Sequence, residues 1–311
     1  MMDSVKRHGV LLAAACMAAL SVAACGQSGK DGRTDQTEAA AAPTGSESAA
    51  EKFNAYTEGF NALIDDSWGV AENFSRYQEL DIPNANASGN LNFPENASNL
   101  ERALEKLTAG RAVKAGGEAR EADAATDKVI ATGQVLLAQW KELDPYFESR
   151  AYREDGLAKA KTAHPALMAA YQNNLAAIDE LDAALSKYLR QRAEQRIAAL
   201  RKGGHNEEAD LSEAMQLADF FSTAVIENNV AEADRLMPQL EATLTKVRQA
   251  ESTLPADHSN KAEFSLISGY LTSMVGDWRD FKQSSNDSER ESIVDNYNRA
   301  VDQMSDVEFS L

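Results

Sequence analysis

The chain has 311 residues, 49 Asp and Glu against 31 Lys and Arg, and a formal net charge of -18. That excess repels nucleic-acid phosphates and anionic head groups, so nucleic acid is excluded as a partner. Only Cys16 and Cys25 are present, and both fall in the first 25 residues. The body therefore has no disulfide framework and no thiol chemistry, and it must hold by packing alone.

Lys6 and Arg7 open the chain as a short basic region, and Val10 to Ala24 follow as an apolar run. The run has the length of a signal-peptide core and falls short of the roughly 20 residues that span a bilayer. It closes on Leu20-Ser21-Val22-Ala23-Ala24-Cys25-Gly26. Small residues just before a cysteine admit a peptidase, and the pattern resembles the bacterial lipoprotein signal. That resemblance implies cleavage before Cys25, acylation of Cys25, and an envelope location. The same resemblance, extended to the bacterial sorting rule, implies from Gly26 rather than Asp after the cysteine an outer membrane, with the body facing the periplasm. Two or more acyl chains anchor stably, at about 0.8 kcal/mol per buried methylene. Residues 1–24 are thus expected to be a signal peptide. Residues 25–50, rich in Gly, Ser, Thr, Ala and acids, are expected to be a flexible tether.

The rest, 51–311, reads as a single all-α domain, an elongated bundle of long antiparallel helices. Phe53, Tyr56, Phe60, Leu63, Val70, Phe74 and Tyr77 recur at three- and four-residue steps, the signal of an amphipathic helix. Asp81 to Ser98 is rich in Asn, carries Pro83 and Pro94, and predicts a long surface loop. A second stripe runs from Leu100 to Leu107, is interrupted at Gly116-Gly117, and resumes from Ala122 through Val129, Leu136 and Trp140 to Phe147. The longest stripe runs from about Arg153 to Arg201. Its apolar face includes Leu157, His164, Leu167, Tyr171, Ile178, Leu185 and Leu189, its length is roughly 70 Å, and Gly203-Gly204 stops it. Pro165, like Pro238 further on, predicts a kink or a new start.

Stripes from Leu211 to Val225 and from Leu236 to Val247 follow. A capping box at Asn260 and Glu263 precedes a face from Phe264 to Phe281, and a last helix carries Ile293, Tyr297, Val301 and Met304. The short motifs Phe53-Asn54-Ala55-Tyr56 and Tyr297-Asn298-Arg299-Ala300 echo each other, which predicts that the first and last helices pair. No period-two alternation between hairpin turns occurs, so no sheet is expected. Trp68, Trp140 and Trp278 are placed in the core, and Asp65-Asp66 and Glu207-Glu208 in solvent.

No catalytic constellation emerges. His164, His205 and His258 are the histidines of the body, and none has an acid three residues before it, so the Glu-x-x-His pairs of di-iron bundles are missing. There is no nucleophile elbow, phosphate loop or calcium loop. The expectation is no enzyme, no cofactor and no metal. The candidates for contact with a ligand or partner are Tyr152, Asp155 and His164.

Three segments carry a family resemblance. Phe53-Asn54-Ala55-Tyr56-Thr57-Glu58-Gly59-Phe60-Asn61 is similar to the start of the YiiG-like family of bacterial lipoproteins. Tyr152-Arg153-Glu154-Asp155…Lys159…His164-Pro165 resembles its middle block, and Ile293-Val294-Asp295-Asn296-Tyr297-Asn298 its ending. The resemblance implies a helical, envelope-facing domain of uncharacterised function and brings no catalytic residues with it. Two readings stay open: a non-enzymatic lipoprotein that binds or scaffolds an envelope protein, and a periplasmic solute- or metal-binding helical lipoprotein. In both, membrane lipid is the first partner, through acylated Cys25.

Overall fold

The computed structural model describes residues 45–309 apart from Asp66 and Asp257. The leader, Cys25 and the tether as far as Thr44 lie outside the described residues. Among the described residues ten α-helices follow one another: α1 (Gly45–Ile64), α2 (Val70–Glu79), α3 (Ala97–Ala112), α4 (Arg120–Glu148), α5 (Tyr152–Asp155), α6 (Ala158–Gly203), α7 (Asn206–Ile226), α8 (Val230–Thr253), α9 (Lys261–Ser284) and α10 (Asp287–Met304). No strand occurs among the described residues, and no helix among them is long and apolar enough to cross a membrane. The all-α expectation holds.

Local chemistry sets the helix ends. Asn96, Asn229 and Asn286 accept from the backbone N–H of Asn99, Glu232 and Ser288, so each caps the helix that follows it. Gly204, at φ 87°, stops α6, a left-handed position that glycine adopts without strain.

The apolar stripes close into two cores rather than one. In the first, α1 packs on α3, α3 on α4, α4 on α6, and α6 returns to α1; in the second, α7 packs on α8, α8 on α9, α9 on α10, and α10 returns to α7. Each is a four-helix ring. Tyr56, Phe60, Leu107, Val129, Trp140, Tyr171 and Leu181 fill the first, which ends in sequence at Tyr188. Phe221, Leu240, Phe264, Trp278 and Tyr297 fill the second, which begins at Leu211. Full burial of each large apolar side chain stabilises by about 1.5–3 kcal/mol. Between the cores, Leu200 is the one buried residue of α6 beyond Tyr188. The echo between Phe53-Asn54-Ala55-Tyr56 and Tyr297-Asn298-Arg299-Ala300 therefore does not mark a helix pair. Those segments lie in different cores.

Other expectations change in detail. Helix α1 starts at Gly45 and already buries Ala49, so the last residues expected in the tether are helical. The segment between α2 and α3 is a loop, yet Ile82 and Phe93 are buried, which fastens it to the first core. Trp68 is 58% exposed in the short α1–α2 connection, with the Arg76 guanidinium over its ring, whereas Trp140 and Trp278 are core residues as expected. Glu208 is buried rather than solvated.

Asn260 does not cap α9 with its side chain. It donates to the Glu308 carbonyl and accepts from the Glu308 N–H, so it holds the C-terminal tail instead. Pro145, Pro165 and Pro238 all lie inside helices. Each proline and the residue four before it (Lys141, Lys161, Asp234) is exposed, so the carbonyl left without an N–H partner faces water and the helix continues.

Candidate functional site

The three nominated residues lie where α4 ends, α5 makes one turn, and α6 begins. The backbone there is unusual: Gly156 and Leu157 are both left-handed, at φ 63° and 70°. Glycine adopts this freely, but Leu157 does so at a cost. Two features hold it. Its side chain is fully buried, and its N–H donates to Asp155 Oδ1 at 2.9 Å.

Asp155 also accepts from the Lys159 N–H through Oδ2 at 3.0 Å and from the Tyr146 hydroxyl through Oδ1 at 2.7 Å. Its carboxylate therefore caps the start of α6. The bond from Tyr146 and those from the backbone N–H groups hold its pKa below the ordinary aspartate value. Burial and the facing Asp155 charge push the Tyr146 hydroxyl up.

Tyr152 is fully buried. Its hydroxyl accepts from the Leu91 N–H at 3.2 Å and donates to the Gly89 carbonyl at 3.3 Å, so it pins the 80–96 loop. His164 is half-buried, and its Nδ1 lies 2.9 Å from the Tyr77 hydroxyl. Burial raises the Tyr77 pKa to about 12.

The three residues belong to one aromatic cluster without converging on a point. Tyr146 joins Tyr152 to Asp155, with ring centroids 6.3 Å apart in the tyrosine pair. His164 connects to Tyr152 by stepwise ring contacts through Tyr77, Phe93 and Phe147. Trp140 donates from Nε1 to the Tyr171 hydroxyl at 2.9 Å in the same cluster.

Beside it runs a groove of about 490 Å³ between α4 and α6, lined by Gln139, Glu142, Leu143, Lys159, Thr162 and Ala163 among others. Lys159 Nζ bonds the Glu142 carbonyl across it. Tyr152, Asp155 and His164 do not line the groove. Among the described residues no group of three or more His, Cys, Asp or Glu is placed to hold a metal ion.

A second polar constellation has no trace in sequence spacing. Lys52 of α1, only 3% exposed at its side chain, pairs with Asp123 of α4 at 2.7 Å. Tyr56 donates to the same Asp123 oxygen at 2.5 Å, and Arg111 of α3 reaches the other oxygen at 3.1 Å while pairing with Asp127. Burial disfavours the Asp123 charge, but the bonds from Lys52 and Tyr56 and the charges of Lys52 and Arg111 prevail and keep its pKa low. Burial and Asp123 raise that of Tyr56. The network fastens three helices of the first core, and its members are too far apart in sequence for any local motif to show them.

One family model, described as "Protein of unknown function (DUF3829)", matches residues 47–308. The chain belongs to the DUF3829 family. No curated protein and no solved structure matches it. The matched region of this DUF3829 protein begins in α1 and takes in both cores, the 80–96 loop and the whole of α6.

Proposed function

We propose that this DUF3829 protein is a lipid-anchored envelope protein whose helical body binds or scaffolds an envelope partner and carries out no chemistry of its own. The observation that carries the reading is the use made of the nominated side chains. Asp155 caps a helix, Tyr152 pins a loop, and His164 bonds a core tyrosine. Each is spent on holding shape, which suits a rigid binding body better than a reaction centre needing a free base or nucleophile. The cysteine box at Leu20 to Cys25 and the resemblance to YiiG-like lipoproteins support the anchor.

Cys25→Ala tests the anchor. The variant is expected in the soluble periplasmic fraction or with an uncut leader, and unchanged membrane retention with normal processing refutes it. Cross-linking in intact envelopes, followed by purification of the wild-type protein, is expected to recover a specific partner. Its absence would leave the scaffold reading without support.

The groove between α4 and α6 favours a second reading, a small polar solute held by Gln139, Glu142, Lys159 and Thr162. Calorimetric titration with divalent metals tests its metal-binding form, and the absence of saturable heat would remove that form.

A further inference from the structure

The two cores meet along α6 and α7, and the chemistry of that seam differs from both. From Leu189 onward α6 is exposed or half-buried everywhere except Leu200. Its contacts with the second core include two arginines on aromatic faces. The Arg190 guanidinium lies 5.1 Å from the Phe220 centroid, and that of Arg196 lies 4.7 Å from Phe309.

Ser186 and Arg190 are four apart on α6, and Ser212, Gln216 and Phe220 are four apart on α7, so each set shares a helix face. Ser186 Oγ, Arg190 Nε, Ser212 Oγ and Gln216 Nε2 are all buried without a hydrogen-bond partner among the described residues. Asp219, within electrostatic reach of Arg190, accepts from the Tyr297 hydroxyl at 3.0 Å. A donor buried without a partner forfeits its hydration and gains nothing in return. Closing this seam therefore desolvates several polar groups, and what offsets that lies at the far end of α6, where Leu200 and Ala209 are buried and Arg201 pairs with Asp210 and Glu213. Opening it rehydrates them and leaves both cores whole.

We propose that the seam is a hinge: α7–α10 is a separately cooperative unit that swings from the first core by bending α6 between residues 189 and 200, exposing the face that carries Gln216, Asp219 and Phe220. Each core is a closed ring of helices contiguous in sequence, so neither needs the other to bury its apolar residues. The seam is the plane along which the molecule parts.

Native-state hydrogen exchange on the full-length protein, stepped through low urea, tests this. Amides of α4 and α9 are expected to lose protection along separate isotherms, and those of residues 189–200 and 212–220 to open at the lowest urea of all. One merged isotherm for α4, α9 and the seam would overturn the proposal.

The sign of a substitution provides an independent arm. Ser212→Ala, and in a second protein Ser212→Ala with Gln216→Leu, remove buried polar groups without cutting a hydrogen bond. Each is expected to slow exchange of the seam amides, by threefold or more for the pair, and to bring the α4 and α9 isotherms together. Unchanged seam exchange in the single variant would mean that these polar groups do not weaken the seam, and faster exchange that they hold it shut; either result overturns the hinge.

Discussion

Two glycines give the same substitution opposite signs. Gly110 of α3 faces α1 so closely that an added Cβ would lie 2.7 Å from both Cδ1 and Cε1 of Tyr56 and 3.1 Å from the Lys52 carbonyl oxygen. The ring cannot turn away, because its hydroxyl is held by Asp123, and a backbone oxygen has no rotamer to change. In Gly110→Ala the overpacking costs about 1–3 kcal/mol, and the better helix propensity of alanine returns roughly 1 kcal/mol. A net loss of about 1 kcal/mol is expected.

Gly269 of α9 is exposed, with nothing within 4 Å of the added atom, so Gly269→Ala gains about 1 kcal/mol from propensity alone. Urea unfolding followed by circular dichroism, with hydrogen exchange assigning each change to its core, reads both. The midpoint for the first core is expected to fall in one variant, and that for the second core to rise in the other. If Gly110→Ala stabilises as much as Gly269→Ala, the close approach of α1 and α3 is wrong.

Asp123→Asn leaves the buried Lys52 ammonium without its counter-charge and is expected to destabilise at neutral pH by about 3 kcal/mol, the low end for a broken buried pair because Asp123 itself is partly exposed. The Asp123 pKa is depressed in the folded state, so its contribution is complete above the ordinary carboxylate range and disappears as pH falls through the folded value. Urea midpoints from pH 6 down to pH 3 should drop less steeply in the Asn variant than in wild type.

Asp219 behaves in the opposite sense. Burial raises its folded pKa, so stability declines as pH rises from about 4 through that value. Asp219→Asn still accepts from Tyr297 and should remove this part of the slope in the same titration. Trp68→Ser is expected to change stability by less than about 0.5 kcal/mol, while Trp140→Ala should cost about 3–5 kcal/mol. Comparable losses in thermal melts would contradict their exposures of 58% and 1%.

Periodicity made the helices legible, because an apolar residue every three or four positions has one sensible partner, a buried face. The stop at Gly203-Gly204 was legible from glycine's backbone freedom, whereas α3 ends at Ala112, ahead of Gly116-Gly117. What sequence could not show is where one core ends and the next begins. Leu189, Ile197 and Leu200 continue the rhythm of α6 past Tyr188, but only Leu200 among them is buried. Trp68 shows the complementary failure: a large apolar side chain in the five-residue connection between α1 and α2 has no helical face to join.

At the candidate site, the block from Tyr152 to His164 was visible through its family resemblance and its polar residues Tyr152, Asp155 and His164. Its purpose was not, since the Asp155 cap depends on the left-handed turn at Gly156-Leu157 and on Tyr146 from another helix. Lys52 and Asp123 look like ordinary surface charges in sequence, and only the packing of α1 on α3 and of α3 on α4 brings them together as a pair. Asn260 satisfied a capping pattern that its bond to Glu308 overrode.

Each core is also a single unbroken stretch of chain, 53–188 and then 211–307. Folding can therefore follow synthesis in order. A chain delivered N-terminus first has every residue of the first core in hand once Tyr188 has emerged, and it can close that ring while α7–α10 has yet to appear. Loop-closure entropy within each core involves only its own stretch. The far end of α6, exposed or half-buried except at Leu200, then separates the finished core in sequence from the apolar faces still to be made.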